Sequence, residues 1–77
     1  MPANGHQPEA RFANTFGIGY NRSEFVIDAG QSFDNRDHYY LRIICSPTSA
    51  QELCRLLTES LEHYRGKFGP IPDQEDS

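Results

Sequence analysis

The densest group of possible metal ligands in the chain is Asp34, Asp37 and His38, in a polar stretch that also contains Asn35. Carboxylate and amide oxygens are the ligands that hard cations prefer. The spacing differs from that of a calcium-binding loop, which has acidic or amide residues at alternate positions, a central glycine and a terminal glutamate. The pattern therefore favours a solvated loop between strands. A regulator that binds a metal or a small molecule through residues 31–38 remains the alternative function.

Cys45, Cys54 and His63 are of the residue types that ligate zinc. Cys45 precedes a predicted helix, whereas Cys54 and His63 lie along it, so the three side chains are not expected to converge. We interpret both cysteines as small buried hydrophobic residues. The sequence predicts no metal site and no cofactor.

Two further motifs are of types found in enzymes. Gly17-Ile18-Gly19 resembles part of a dinucleotide-binding loop, which needs a strand, a glycine turn and a helix in immediate succession. A second strand follows it here, so we reject that function. Ser46 is the best-placed serine for a nucleophile, but it directly precedes Pro47 and is better explained as a helix N-cap. The sequence therefore predicts no catalytic residues, and we expect the protein not to be an enzyme.

The elements that position these residues are three strands and one helix. The first strand has a bulky side, formed by Phe12, Asn14, Phe16, Ile18 and Tyr20, and a bare side, formed by Ala13, Thr15, Gly17 and Gly19. A turn at residues 21–23 leads to a second alternating stretch over residues 25–30. A polar loop over residues 31–37 then leads to a third over residues 39–45, where Tyr39, Leu41, Ile43 and Cys45 alternate with Tyr40, Arg42 and Ile44.

The helix is predicted to begin at Ser46-Pro47 and to carry one apolar stripe. The stripe consists of Ala50, Leu53, Leu57, Leu61, Tyr64 and Phe68. These patterns predict an α+β fold with the order β-β-β-α, in which a three-stranded antiparallel sheet has one C-terminal amphipathic helix packed on one face. We expect Leu57 and Leu61 to join the helix to the sheet as core residues.

Composition sets the domain boundaries and the partner classes. Residues 1–10 are predicted to be disordered, residues 11–69 to form a single α+β domain, and residues 70–77 to be an acidic disordered tail. Within residues 11–69, seven basic and seven acidic residues balance, so the net charge of −4 comes from the two ends of the chain. Without a basic stripe we expect no nucleic-acid partner, and without an apolar run of about 20 residues no membrane partner. A start at Met1 without an apolar signal segment predicts a cytoplasmic location.

Assembly is the function that the pattern favours. A domain of this length buries only about 60% of the surface that its unfolded chain exposes, so its stability is marginal. Oligomerisation is a common way for small domains to gain stability. The sheet has two open edges, and its bare strand face lets another backbone layer approach closely. We expect a homodimer or a higher oligomer that also binds another protein, as a subunit, adaptor or chaperone-like partner. The predicted interface residues are Ala13, Thr15, Gly17, Gly19, Val26, Tyr40 and Ile44.

Four short motifs occur in a characteristic order. They are Ala13-Asn14-Thr15-Phe16, Glu24-Phe25-Val26-Ile27-Asp28, the stretch from Arg42 through Ser46-Pro47 to Ala50, and Tyr64-Arg65-Gly66-Lys67-Phe68-Gly69. In this order they resemble a family of small, functionally uncharacterised bacterial and archaeal proteins with the pattern ANxF…EFxxD…RIxxSPxxA…YxxxFG. The resemblance implies a strand-strand-strand-helix unit and brings no activity with it.

Overall fold

A computed structural model of the chain describes residues 7–73. It contains the strands β1 (Thr15–Tyr20), β2 (Phe25–Phe33) and β3 (Arg36–Cys45), followed by the helix α1 (Pro47–Phe68). The strands form one antiparallel sheet in the order β1-β2-β3. The predicted α+β class, with a three-stranded antiparallel sheet and one C-terminal helix, is confirmed. The predicted disordered ends include residues 1–6 and 74–77, which lie outside the described residues.

The turn between β1 and β2 is closed by Asn21. Its side-chain oxygen accepts hydrogen bonds from the backbone N–H groups of Ser23, at 2.8 Å, and Glu24, at 3.0 Å. Its own backbone N–H donates to the carbonyl oxygen of Glu24. An asparagine that bonds the backbone two and three residues ahead is a common way of reversing the chain. The turn brings Tyr20 opposite Phe25, and these two rings stack at 5.4 Å.

Residues 31–38 form a tight hairpin, and the prediction of a polar loop there is wrong. Phe33 pairs with Arg36, so the connection between β2 and β3 consists of Asp34 and Asn35 alone. Both have positive φ, at 50° and 63°. Positive φ at both central residues is what a two-residue turn needs to match the twist of its strands, and Asn and Asp tolerate it better than most residues. The polar residues around them extend the two strands.

A β-bulge interrupts the pairing of β2 with β3. Ala29 pairs with Leu41 and Gly30 pairs with Tyr39, which leaves Tyr40 as the extra residue of β3. Strict alternation along the third strand, with Tyr39 beside Leu41, is therefore wrong. The Tyr39 hydroxyl lies about 3.5 Å from the position that a Cβ would take at Gly17, so Tyr39 is on the same face of the sheet as Gly17. Tyr40 lines a groove together with Ala29 and Leu41.

The helix begins as the sequence predicts. Ser46 has an extended backbone, and its hydroxyl oxygen accepts a hydrogen bond from the Ser49 backbone N–H at 3.1 Å. Pro47 follows at the start of the helix, where a missing N–H costs no helical hydrogen bond. The helix continues through Gly66 to Phe68, and the N–H of Gly69 closes it on the carbonyl oxygen of Arg65.

The described chain buries very little of its hydrophobic surface by itself. Ala29, at 9% exposure, is its single buried hydrophobic side chain. Every residue from 51 to 68 is exposed. Leu57 and Leu61, predicted to be core residues, are 56% and 37% exposed. The helix follows a strand through a single residue, and its direction carries most of it away from the sheet.

Candidate interaction surface

One face of the sheet is almost entirely apolar. Paired residues on neighbouring antiparallel strands share a face, so the register collects Phe16, Ile18 and Tyr20 of β1 with Ala29, Ile27 and Phe25 of β2, and these with Leu41, Ile43 and Cys45 of β3. We call this set the apolar face. None of these nine residues is charged, and towards the hairpin turn the same side of the sheet continues with Gln31 and His38 and then with Phe33 and Arg36. Its large outer side chains are 45–77% exposed, namely Phe16, Ile18, Tyr20, Leu41 and Ile43.

The helix carries a second apolar strip along its whole length. Its residues follow one another at spacings of four and three, as in a heptad repeat, and we call them the helix seam: Ala50, Cys54, Leu57, Leu61, Tyr64 and Phe68. Leu53 and Leu56 flank the seam. The large side chains of this region are 37–68% exposed. On the opposite side of the helix, Arg55 pairs with Glu52 and Glu59, each at 2.6 Å, which marks that side as the solvent face.

The apolar face and the helix seam meet at a groove of about 310 Å³. Its walls are Ile18, Phe25 and Ile27 from the sheet and Ala50, Leu53, Cys54 and Leu57 from the first turns of the helix. The small side chains of Ala50 and Cys54 keep the groove open. Both walls of the groove are apolar, and no side chain of residues 7–73 fills it.

The other face of the sheet is smaller and more polar. The register places Thr15, Gly17 and Gly19 of β1 on it, with Val26 and Asp28 of β2 and with Ile44, Arg42 and Tyr39 of β3. We call this the glycine face. Its centre is a two-point ion pair in which the Arg42 guanidinium donates to both oxygens of Asp28, at 2.7 and 2.9 Å. This bonding holds the pKa of Asp28 below its ordinary value and raises that of Arg42.

The structure brings together five of the seven residues predicted to form an interface. Thr15, Gly17, Gly19, Val26 and Ile44 lie together on the glycine face.

The two other predicted residues, Ala13 and Tyr40, lie beside the segment that precedes β1. Ala13 precedes β1, and it lines a second groove together with Tyr40 at the bulge. The guanidinium of Arg11 lies 3.9 Å from the centre of the Tyr40 ring, within the range of a cation–π contact. The Tyr40 hydroxyl is buried and has no hydrogen-bond partner among the described residues. These contacts separate Ala13 and Tyr40 from the rest of the predicted set.

The other candidate sites have simpler local explanations. The hydroxyl of Ser46 caps the helix, and Asp34 forms the hairpin turn. Across residues 7–73, no three His, Cys, Asp or Glu side chains are grouped so as to hold a metal ion. Within the same range, α1 is not apolar enough over its length to cross a membrane.

The sequence prediction places the interface on the bare face, although most of the large exposed side chains of the sheet lie on the apolar face. It expected the helix to cover one face and therefore looked for an interface on the bare one. A usable signal was present, because large apolar residues recur at every second position of β1, a strand at the edge of the sheet. A contiguous exposed apolar row of this kind is typical of interaction surfaces.

Comparisons with known proteins give a family and no activity. No curated protein and no solved structure is significantly similar to this chain. One family model matches residues 4–73, which is nearly the entire chain. It covers both hairpins, the bulge and the helix with its seam. The chain therefore belongs to the family described as protein of unknown function DUF3467.

Proposed function

We propose that this protein is a non-enzymatic assembly module that completes its hydrophobic core by associating with a second copy of itself. The observation that carries the proposal is the exposure of the apolar face and the helix seam together, with Ala29 as the single buried hydrophobic side chain of the described residues. Small domains commonly use oligomerisation to gain the core that their length cannot supply.

The size of the exposed apolar surface supports a stable interface. Five large side chains of the apolar face and six of the helix are between 37% and 77% exposed. With side chains that bury up to about 200 Å² each, this amounts to on the order of 1,000 Å² per chain. A standard interface buries roughly 800 Å² per partner, and obligate homodimers bury more. The available area thus falls within the range of permanent dimers.

A second copy suits this surface better than an unrelated protein does. Each chain offers an uncovered apolar sheet face and an uncovered apolar helix, and a second copy supplies both in equal amount. A two-fold axis lets each element of one chain cover the complementary element of the other and closes the assembly at two. The surface also has no charges that would select a partner of opposite sign, since the apolar face and the helix seam are uncharged.

Local contacts support a role other than catalysis. The side chains best suited to take part in a reaction serve the fold instead, because Ser46 caps α1 and Asp28 pairs with Arg42. The grooves are open and lie between structural elements. The exposed apolar surface instead supports association with another chain, because burying apolar surface is what drives association.

Sedimentation velocity and urea unfolding at several micromolar concentrations test the proposal. We expect a dimer whose unfolding midpoint rises with protomer concentration, because the stability of an obligate assembly depends on mass action. A monomer that unfolds cooperatively at a midpoint independent of concentration would contradict it.

Two neighbouring isoleucines of β3 identify the face that associates. Ile43 lies on the apolar face and Ile44 on the glycine face, and their exposures are similar, at 45% and 59%. We expect Ile43→Asp to dissociate the dimer, because it buries an unpaired carboxylate in the interface. Ile44→Asp is the matched control and is expected to remain a dimer. The reverse result would move the interface to the glycine face and overturn the assignment made here.

A further inference from the structure

We infer that the two helices of the dimer pair antiparallel about a two-fold axis that crosses the helix seam between Leu57 and Leu61, and that the last turns of each helix fill the groove at the start of the other. This inference rests on the proposed function, since it specifies how the second copy binds. The observations that carry it are the order of side-chain sizes along the helix seam, the shape of the groove and the charges of the two helix halves.

The order of sizes along the seam is self-complementary in the antiparallel direction. The seam begins with the small residues Ala50 and Cys54 and ends with the large residues Tyr64 and Phe68. With the axis between Leu57 and Leu61, Ala50 faces the partner's Phe68, Cys54 faces the partner's Tyr64, and Leu57 faces the partner's Leu61. Every layer then combines a small with a large residue or two leucines, as close packing requires.

Parallel pairing fits the same residues poorly. It sets Phe68 against its own copy at one end of the seam and Ala50 against its own copy at the other. The layer of two Phe68 side chains is then overfilled, while the layer of two Ala50 side chains leaves a cavity. Both defects destabilise a packed interface.

The groove at the start of the helix is where those large residues would be placed. Its helix wall includes Ala50 and Cys54, the two small members of the seam, and its other wall is the apolar face. Tyr64 and Phe68 form a ring pair with centroids 5.0 Å apart, so they present one joined aromatic surface. Seated in the partner's groove, this pair contacts Ile18, Phe25 and Ile27 as well as the helix. The antiparallel arrangement therefore covers the sheet and the seam at once.

Charge also favours the antiparallel direction. Before the axis, Glu52 and Arg55 cancel, whereas beyond it Arg65 and Lys67 against Glu62 leave one net positive charge. Antiparallel pairing places unlike halves side by side and opposes the two helix dipoles. Parallel pairing places Arg65 and Lys67 of the two copies together.

Disulfide trapping distinguishes these arrangements, because Cys54 belongs to the seam. In antiparallel pairing the two copies of Cys54 lie about 15 Å apart along the axis, at 1.5 Å per residue, well beyond the Cα separation of roughly 4.4–6.8 Å that a disulfide requires. A cysteine at position 64 faces the partner's Cys54. The test uses three variants, Cys45→Ala alone, Cys45→Ala with Tyr64→Cys, and Cys45→Ala with Cys54→Ala and Tyr64→Cys. Diamide is the oxidant and accepts the two electrons and two protons released by each pair of thiols.

We expect a covalent dimer, without larger species, only from the variant that contains both Cys54 and Tyr64→Cys. Two reciprocal bonds close that dimer, and the gel shift reverses with dithiothreitol. Rapid dimer formation by Cys54 alone would show parallel helices and overturn the inference. A ladder of larger species would show head-to-tail contacts and also overturn it.

Sedimentation of the same samples separates this inference from the proposed function. If the double-thiol variant sediments as a dimer but forms no disulfide, the helices do not pair in this way, although the assembly itself stands. If the Cys45→Ala parent sediments as a monomer, the proposed function fails as well. Should Tyr64→Cys lose its helical circular dichroism, Ala50→Cys with Phe68→Cys, in a background without the native cysteines, tests the outermost pair of the same arrangement.

Discussion

Gly30→Ala tests the close approach of β2 to β3 at the bulge. A Cβ at this position would lie far inside van der Waals contact with the carbonyl oxygen of His38 and 2.7 Å from Cα of Tyr39. All of these are backbone atoms of the paired strand, so no side-chain rotation relieves the overlap. The φ of Gly30 is not positive, which makes the expected effect steric.

The expected cost follows from what has to move. Relief requires the two strands to separate at the centre of the hairpin, with loss of ladder hydrogen bonds and of the contact between Ala29 and Leu41. Overpacking costs about 1–3 kcal/mol where side chains can yield, and backbone atoms yield less, so we expect at least about 3 kcal/mol. At the usual denaturant sensitivity of small proteins, this lowers the urea midpoint by roughly 1–3 M.

The assay is urea unfolding followed by circular dichroism at one fixed protomer concentration, because association contributes to stability. Gly19→Ala is the matched control, since a Cβ there has no atom within 4 Å. We expect that control to be neutral or to stabilise by up to about 1 kcal/mol, because alanine restricts the unfolded chain. A Gly30→Ala midpoint equal to that of Gly19→Ala would refute the described strand approach.

Three further predictions concern the ends of elements and the glycine face. Ser46→Ala removes the hydroxyl that accepts from the first turn of α1 and should cost about 1 kcal/mol in urea unfolding. Asn35→Val puts a β-branched residue at positive φ and should cost about 1–2 kcal/mol, whereas Asn35→Gly should retain stability. Because the bond from Arg42 lowers the pKa of Asp28 in the folded state, its stabilisation is present above the ordinary value of 3.8 and is lost as pH falls through the lower folded value. Asp28→Asn should therefore flatten the acid limb of the stability profile measured by thermal unfolding, and an unchanged acid limb would contradict the role of this pair.

Local patterns were sufficient to predict the element types and their order. Alternation in the strands, the Ser46-Pro47 start and the stripe of the helix are short-range features, because strand and helix periodicity are properties of the backbone itself. The hairpin at Asp34-Asn35 was missed for a related reason. Polar residues beside a turn look like loop in sequence, although φ at two residues alone reverses the chain there.

The pairing of distant residues was decided by tertiary structure. The bulge at Tyr40 arises between two strands and moves every side chain before it in β3 to the other face, which no pattern within β3 reveals. Helix amphipathicity likewise shows that Leu57 and Leu61 need a cover without showing which surface provides it. Sequence alone therefore determined what this chain must bury. The direction of the helix after Ser46 decided that its own sheet leaves most of that surface exposed. Direction rather than length is the reason, because 22 helical residues span about 33 Å, as do the ten residues of β3.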